Sequence, residues 1–292
     1  MGPVSGPSRP AVFRLLWLTG LPWLLRSTRQ KRGLTVLCLH KPEAEHFAQL
    51  AAALAKRYAF VSLADLLACL DASSFDGLPP WPLLLTFDDG EASNAELLPV
   101  FARFRIRPTL FVCTGIVGTR RGFWWSRIPE RDAQRLKELP DAERVEALRA
   151  MGHDPVADRD VDQPEALSAA QIREMASSVD FQAHTRTHPI LTQCTPEQIA
   201  EEVAGCATDM CELTGFAPVA FAYPNGAHAP EVEAIVAEAG FRCAFTLDER
   251  PVTTADDPYR LGRTFVRDEA GVPELLVFAS GLHGLLTRRL QP

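Results

Sequence analysis

Asp88 and Asp89 in Thr86-Phe87-Asp88-Asp89-Gly90, His184 and His188 in His184-Thr185-Arg186-Thr187-His188, and the turn Phe221-Ala222-Tyr223-Pro224-Asn225-Gly226 could together do hydrolytic chemistry. Asp89, His184 and His188 form a two-histidine, one-carboxylate set, which leaves positions on a divalent metal open for water and a substrate oxygen. Asp88, beside that set, stays free to act as a general base. The Pro-Asn-Gly turn presents backbone N–H groups, the donors that a developing oxyanion needs. Each segment alone has a plainer reading. Asp-Asp-Gly and Pro-Asn-Gly are ordinary turn sequences, and paired histidines are often surface or core residues.

Bringing these segments together requires a scaffold. From about residue 34 to 247, short apolar runs alternate with amphipathic stretches, the pattern of βα units. Residues 34–39 read as a buried strand, and residues 42–57 carry Phe47, Leu50, Ala51 and Leu54 at helical spacing. A second unit follows at 59–61 and 62–70, where Ser62 and Asp65 mark a helix start. Residues 83–87 form a strand that runs into Asp88 and Asp89, with a helix expected over 92–104. Strands at 109–113, 181–183, 219–221 and 244–246 complete the series, and a final amphipathic helix is expected over 273–290. The reading is α/β, a single parallel barrel, in which loops after the strands build the active face. Two adjacent acids would point to opposite faces if the strand continued. Gly90 is expected to release the chain so that both carboxylates converge.

The pattern breaks at residues 118–171, a charged stretch that reads as an insertion or lid with a solvated helix. Trp124 and Trp125 at its start are candidates to line a substrate groove. Residues 1–33 form a separate apolar and basic segment, leaving 34–292 as the catalytic domain. Within the segment, an eleven-residue apolar run from Leu15 to Leu25 is flanked by Arg9, Arg14, Arg26, Arg29, Lys31 and Arg32. It is shorter than the about 20 residues of a membrane span. It reads as a helix packed on the domain, as a peripheral membrane contact through residues 11–25 with Trp17 and Trp23 at the headgroups, or as an atypical export signal.

Composition narrows the partners. Thirty Lys and Arg against thirty-seven Asp and Glu give a net charge of −7, which argues for no nucleic-acid face. Seven scattered cysteines contain no C-x-x-C pair and fit a reducing compartment, so a cytoplasmic location is expected, with contact at the inner membrane face as the variant.

In their order and content the three motifs resemble the polysaccharide deacetylase family, the NodB-homology domain of carbohydrate esterase family 4, over about residues 34–267. The resemblance implies a distorted (β/α) barrel with fewer than eight strands and a divalent metal, usually zinc. It implies Asp88 as the base, Asp89, His184 and His188 as metal ligands, and the backbone N–H of Asn225 as the oxyanion donor. The implied reaction is removal of N-acetyl groups from amino sugars of a polysaccharide or lipid-linked glycan. A metal-dependent amidase on a smaller substrate and a glycan-binding pseudoenzyme are the alternatives. The third motif departs from the common family form: Ala222 stands where an arginine braces the base, and Asn225 replaces a tyrosine. Arg263, in Arg260-Leu261-Gly262-Arg263, is expected to supply that brace. The late histidine segment that supplies the general acid is not evident. Leu282-His283 is a superficial match, and His40, at the end of the first strand, is the better candidate for the site.

Overall fold

Every strand pairing among the described strands is parallel, which suits strands such as residues 35–39 and 82–87 whose continuous apolar runs are buried on both faces. The computed structural model describes residues 9–29, 33–155 and 162–288. Two helices, α1 (Arg9–Leu18) and α2 (Leu21–Arg29), precede β1 (Thr35–Leu39), α3 (Ala44–Ala55), β2 (Ala59–Val61), α4 (Leu63–Ala72) and β3 (Pro82–Phe87). Then follow α5 (Leu98–Phe104), β4 (Thr109–Val112), α6 (Glu130–Leu136), α7 (Asp141–Ala150), α8 (Ala169–Met175) and β5 (Asp180–Ala183). The chain continues through α9 (Pro196–Thr214), β6 (Ala220–Ala222), α10 (Pro230–Glu238), β7 (Cys243–Phe245), β8 (Thr264–Phe265), α11 (Val272–Ala279) and α12 (Leu282–Arg288).

Seven strands follow one another in the order β7-β6-β5-β4-β3-β1-β8. β1 lines one edge of β3 from Leu83 to Phe87. The other edge is shared: β2 takes its first half and β4 its second. That division makes β2 a side branch. Closure is slight, through a parallel bridge from Phe245 to Leu261, just ahead of β8. The architecture is the distorted barrel that the motifs imply. Its core includes Phe47 of α3, Phe87 of β3 and Phe101 of α5, packed edge to face at centroid distances of 5.5 to 5.8 Å.

Local signals explain most boundaries. Ser62 and Asp65 form the reciprocal capping box that starts α4. Residues 92–104 do not form one helix: a 3-10 segment over Ala92–Leu97 gives way to α5. Pro99 in the first turn of α5 has no N–H to donate to an earlier turn, so the regular helix starts beside it. The final helix is also two, broken at Ser280-Gly281, where Gly281 has φ +74°. Residues 289–290 of that expected helix lie outside the described residues. The charged helix of the insertion is not wholly solvated. Arg144 of α7 is buried, bonded to Asp141 at 2.5 Å and stacked over Trp124 at 4.8 Å.

At the other end of the chain, α1 lies along α11, with Phe13 on Phe278 and Arg9 bonded to Glu274. In α2, Arg26 stacks on Trp81 and Tyr58, residues just before β3 and β2. α2 therefore covers the strand-starting end of the barrel, opposite the loops that follow the strands.

Replacing Phe101, fully buried between two aromatic partners, with Ala should lower stability by about 3–5 kcal/mol in urea unfolding.

Candidate active site and metal centre

The β1–β3 ladder runs one residue past the strand, because the Asp88 N–H donates to Leu39 O at 3.0 Å. Asp88 is thus fixed in the register of the sheet. The chain then turns at Asp89, whose φ is +71°, and the Gly90 N–H returns to Asp88 O at 2.9 Å, the i→i+2 bond of a γ-turn. The release expected of Gly90 begins one residue earlier, at an aspartate. A non-glycine residue held there stores on the order of 1–3 kcal/mol, which the surroundings must hold in place. Cys113 N–H donates to Asp89 O at 3.2 Å and Leu167 N–H to Gly90 O at 2.9 Å, and these bonds hold it. Gly90 itself, at φ +74°, sits against Val112, where an added Cβ would be 3.0 Å from a methyl group.

The histidine segment follows β5 as an ordered loop. His184 N–H bonds Val112 O at 3.1 Å, after which Thr185 and His188 take left-handed φ values of +66° and +57°. Glu202, on α9, pins this loop. Its carboxylate accepts the Arg186 and Thr187 N–H groups at 2.7 and 2.9 Å and the Thr187 hydroxyl at 2.5 Å. A glutamate on a helix carries no sequence signal for that role, and the motif reading passed over it.

These turns bring Asp89, His184 and His188 together. His184 Nδ1 faces Ala222 O at 2.7 Å, and because a carbonyl can only accept, Nδ1 carries the proton and Nε2 presents its lone pair. Nε2 of His184 and of His188 lie 3.5 and 3.6 Å from Asp89 Oδ1. Those gaps are too long for hydrogen bonds. They match the roughly 3.4 Å between two ligands on one tetrahedral zinc with bonds of about 2.0–2.2 Å. Asp89 Oδ1 is buried without a hydrogen-bond partner. Burial, with the charges of Asp88 and Glu91, pushes the Asp89 carboxyl well above the usual range. Burial also pushes His184 down to about 4 and His188 well below its ordinary value, so both imidazoles are neutral donors at neutral pH. A buried orphaned carboxylate facing two neutral imidazoles fits a divalent cation, and the three residues would hold it.

Asp88 is gripped by Arg263, 175 residues away. The Nη1 and Nη2 groups reach Oδ1 and Oδ2 at 2.7 and 2.8 Å, a bidentate pair. Arg263 is fully buried, also bonds Thr86 Oγ1 and Thr246 O at 3.2 Å, and packs against the rings of Phe111 and Phe245. Burial alone would raise the Asp88 carboxyl, but the Arg263 guanidinium and His184 hold it well below the usual carboxylate range. It stays ionised.

His40 also reaches the site. Its Nε2 is 3.8 Å from Asp89 Oδ2, its ring packs edge-on against Phe265, and its backbone N–H is held by Asp268 at 3.1 Å. His283 is elsewhere, bonded to Glu249 at 2.6 Å between Phe13 and Phe278. Asn225, at φ +57°, borders the cleft, and its side-chain Oδ1 accepts from Lys137 Nζ at 3.0 Å. Lys137 follows α6, so the insertion walls the site. Trp125 packs against the His188 ring at a tilt, with centroids 4.4 Å apart, and Trp124 Nε1 donates to His188 O at 3.0 Å. Lys137 was hidden within a run of charges. The result is a cleft of about 350 Å³ lined by Trp125 and by every catalytic and metal candidate except Arg263, which lies behind Asp88; Trp124, the other groove candidate, is buried and does not line it.

A strand-end cleft in which three residues could hold a cation beside a braced carboxylate lies where a βα barrel carries its active site. The Polysaccharide deacetylase family profile matches residues 78–244, and the chain belongs to that family. Among solved structures it resembles the Streptococcus pyogenes deacetylase PplD in complex with acetate at 18% identity and TM-score 0.62, over 85% of this chain and 98% of that one. IcaB from Ammonifex degensii is similar at 24% identity and TM-score 0.62, over 86% and 98%. The putative polysaccharide deacetylase BA0330 from Bacillus anthracis matches at 17% and 0.61, over 84% and 68%. These likenesses concern the fold. No curated protein sequence matches the chain.

Two outcomes follow. Arg263→Ala should lower stability by about 3–5 kcal/mol in urea unfolding, because it strands a buried carboxylate, and adding Asp88→Asn should recover part of that loss. Titration calorimetry should detect zinc binding by the native chain and none by Asp89→Ala or His188→Ala.

Proposed function

We propose that the protein is a metal-dependent deacetylase that removes N-acetyl groups from amino sugars of a glycan, with zinc as the metal. What carries the reading is the buried Asp88–Arg263 pair set directly against the Asp89, His184 and His188 cluster. A cation in that cluster would supply Lewis-acid polarisation of the amide carbonyl and ease deprotonation of water.

The remaining steps belong to the protein. Asp88, kept ionised by Arg263, takes the proton from the attacking water. Arg263 cannot take up that proton and hold it, so it acts by orientation and charge. The Asn225 N–H donates to the oxygen as it gains negative charge, a task of the backbone and indifferent to the side chain. Burial lowers the His40 pKa, so His40 acts as a relay, passing the proton that Asp88 took from water to the amine as the carbon–nitrogen bond breaks, releasing acetate and leaving a free amino sugar. The family supports a glycan substrate, and the cleft volume lies in the range of small-ligand sites. Arg263 and His40 also weaken the case for a pseudoenzyme, which rested on the absent arginine and late histidine.

With zinc or cobalt added, the native chain should release acetate from N-acetylglucosamine oligomers. Asp88→Asn should lower kcat by about 10²–10⁴-fold, Asn225→Ala should change it far less, and Asp89→Ala should abolish it. No acetate from oligomers or from an aryl acetate, with Asp89→Ala indistinguishable from native, would end the catalytic reading.

A further inference from the structure

The helices α1 and α2 are apolar on two sides. Their inner side packs on the domain through Phe13, Leu16 and Leu25. Their outer side leaves Leu15, Leu18 and Trp23 about two-thirds exposed, with Leu21 and Leu24 over 40% exposed. Of eleven large hydrophobic residues exposed among the described residues, seven fall between Val12 and Leu24. Scattered apolar side chains on a surface need no explanation, but this concentration does.

Charge indicates what covers it. Residues 1–33 hold six of the thirty Lys and Arg and none of the thirty-seven Asp and Glu, so the net −7 divides into +6 on this segment and −13 on the rest. A second copy docked by the same face would bring two such basic segments together, which like-charge repulsion opposes. An anionic lipid surface answers both features at once: acyl chains accept the leucines, the headgroup region suits Trp17 and Trp23, and the lipid phosphates attract the net positive charge of residues 1–33, of which Arg9 and Arg26 already face the domain. Among the described residues no helix is long and apolar enough to cross a membrane, so the contact lies along the surface.

Position makes such docking compatible with catalysis. Arg26 of α2 rests on Tyr58 and Trp81 at the strand-starting end of the barrel, whereas the cleft opens at the strand-terminating end. The acidic remainder of the chain is repelled by an anionic surface and so favours the same orientation. We propose that α1 and α2 dock the protein peripherally on anionic membrane through the face bearing Leu15, Leu18, Leu21, Trp23 and Leu24, with the catalytic cleft turned away from the lipid. This docking does not depend on the deacetylase reading.

Sedimentation of the full chain with vesicles tests it directly. Vesicles containing phosphatidylglycerol should pull the protein down and shift its tryptophan emission to the blue, pure phosphatidylcholine should do so far less, and added salt should weaken the binding. Trp23→Asp combined with Leu18→Asp should reduce binding on the order of tenfold or more, with the urea midpoint and acetate release unchanged. Trp23→Ser alone should give a smaller loss and serves if the double variant is unstable. Three results would each overturn the proposal: no binding to either vesicle, equal binding to both, or a concentration-dependent dimer that Leu18→Asp dissolves, which would make the face a self-association surface.

Discussion

At the floor of the cleft, a carboxylate and a guanidinium sit together, Asp88 largely buried and gripped at both oxygens by a fully buried Arg263. Neither charge is tolerable there alone, because removing an ion from water carries a penalty that only close pairing and full hydrogen bonding offset. Thr86, Thr246 and the flanking rings of Phe111 and Phe245 occupy the remaining directions around the arginine. The pair joins β3 to the segment entering β8, near the place where the barrel closes by a single bridge. It keeps Asp88 ionised, and so keeps Asp89 beside it short of a compensating cation.

The neighbouring cluster depends on backbone geometry that most side chains avoid. Asp89, Thr185, His188 and Asn225 all have left-handed φ, and each belongs to one of the three motifs. Such strain persists where the surroundings over-determine it. Here strand ladders extended beyond their ends, the Glu202 carboxylate beneath the histidine loop, and the Gly90 contact with Val112 provide that determination. The three candidate ligand atoms are therefore arranged by the fold itself.

The two ends of the barrel are specialised differently. The insertion closes one wall of the cleft with Trp125 and Lys137, and burial holds the Lys137 amine below its ordinary pKa while Asp89 and Glu130 draw it back up. At the opposite end α2 caps the strand starts and leaves Leu21, Trp23 and Leu24 exposed on its outer side.

Local chemistry made much of this legible in one dimension. The alternation of apolar runs gave the βα order because strand and helix periodicities are properties of neighbouring residues. Asp88, Asp89, His184 and His188 stood out because each pair lies within a few residues, and the Ser62 and Asp65 start of α4 is likewise local. Periodicity did not show the breaks at Pro99, beside which the regular helix starts, and at Gly281, where the chain leaves helical geometry within a continuing apolar pattern. The motif departure at Ala222 pointed to a missing partner, and Arg263 was nominated by likeness. Only barrel closure, however, sets its guanidinium against a carboxylate 175 residues earlier. Trp125 was a groove candidate from sequence and does line the cleft, whereas Glu202 and Lys137 carry no spacing signal, since an ordinary glutamate or lysine acquires its task from what the fold places opposite it. Sequence by itself determined which residues have the chemistry. The tertiary structure decided which of them meet, because burial, charge pairing and left-handed turns arise between segments that are distant along the chain.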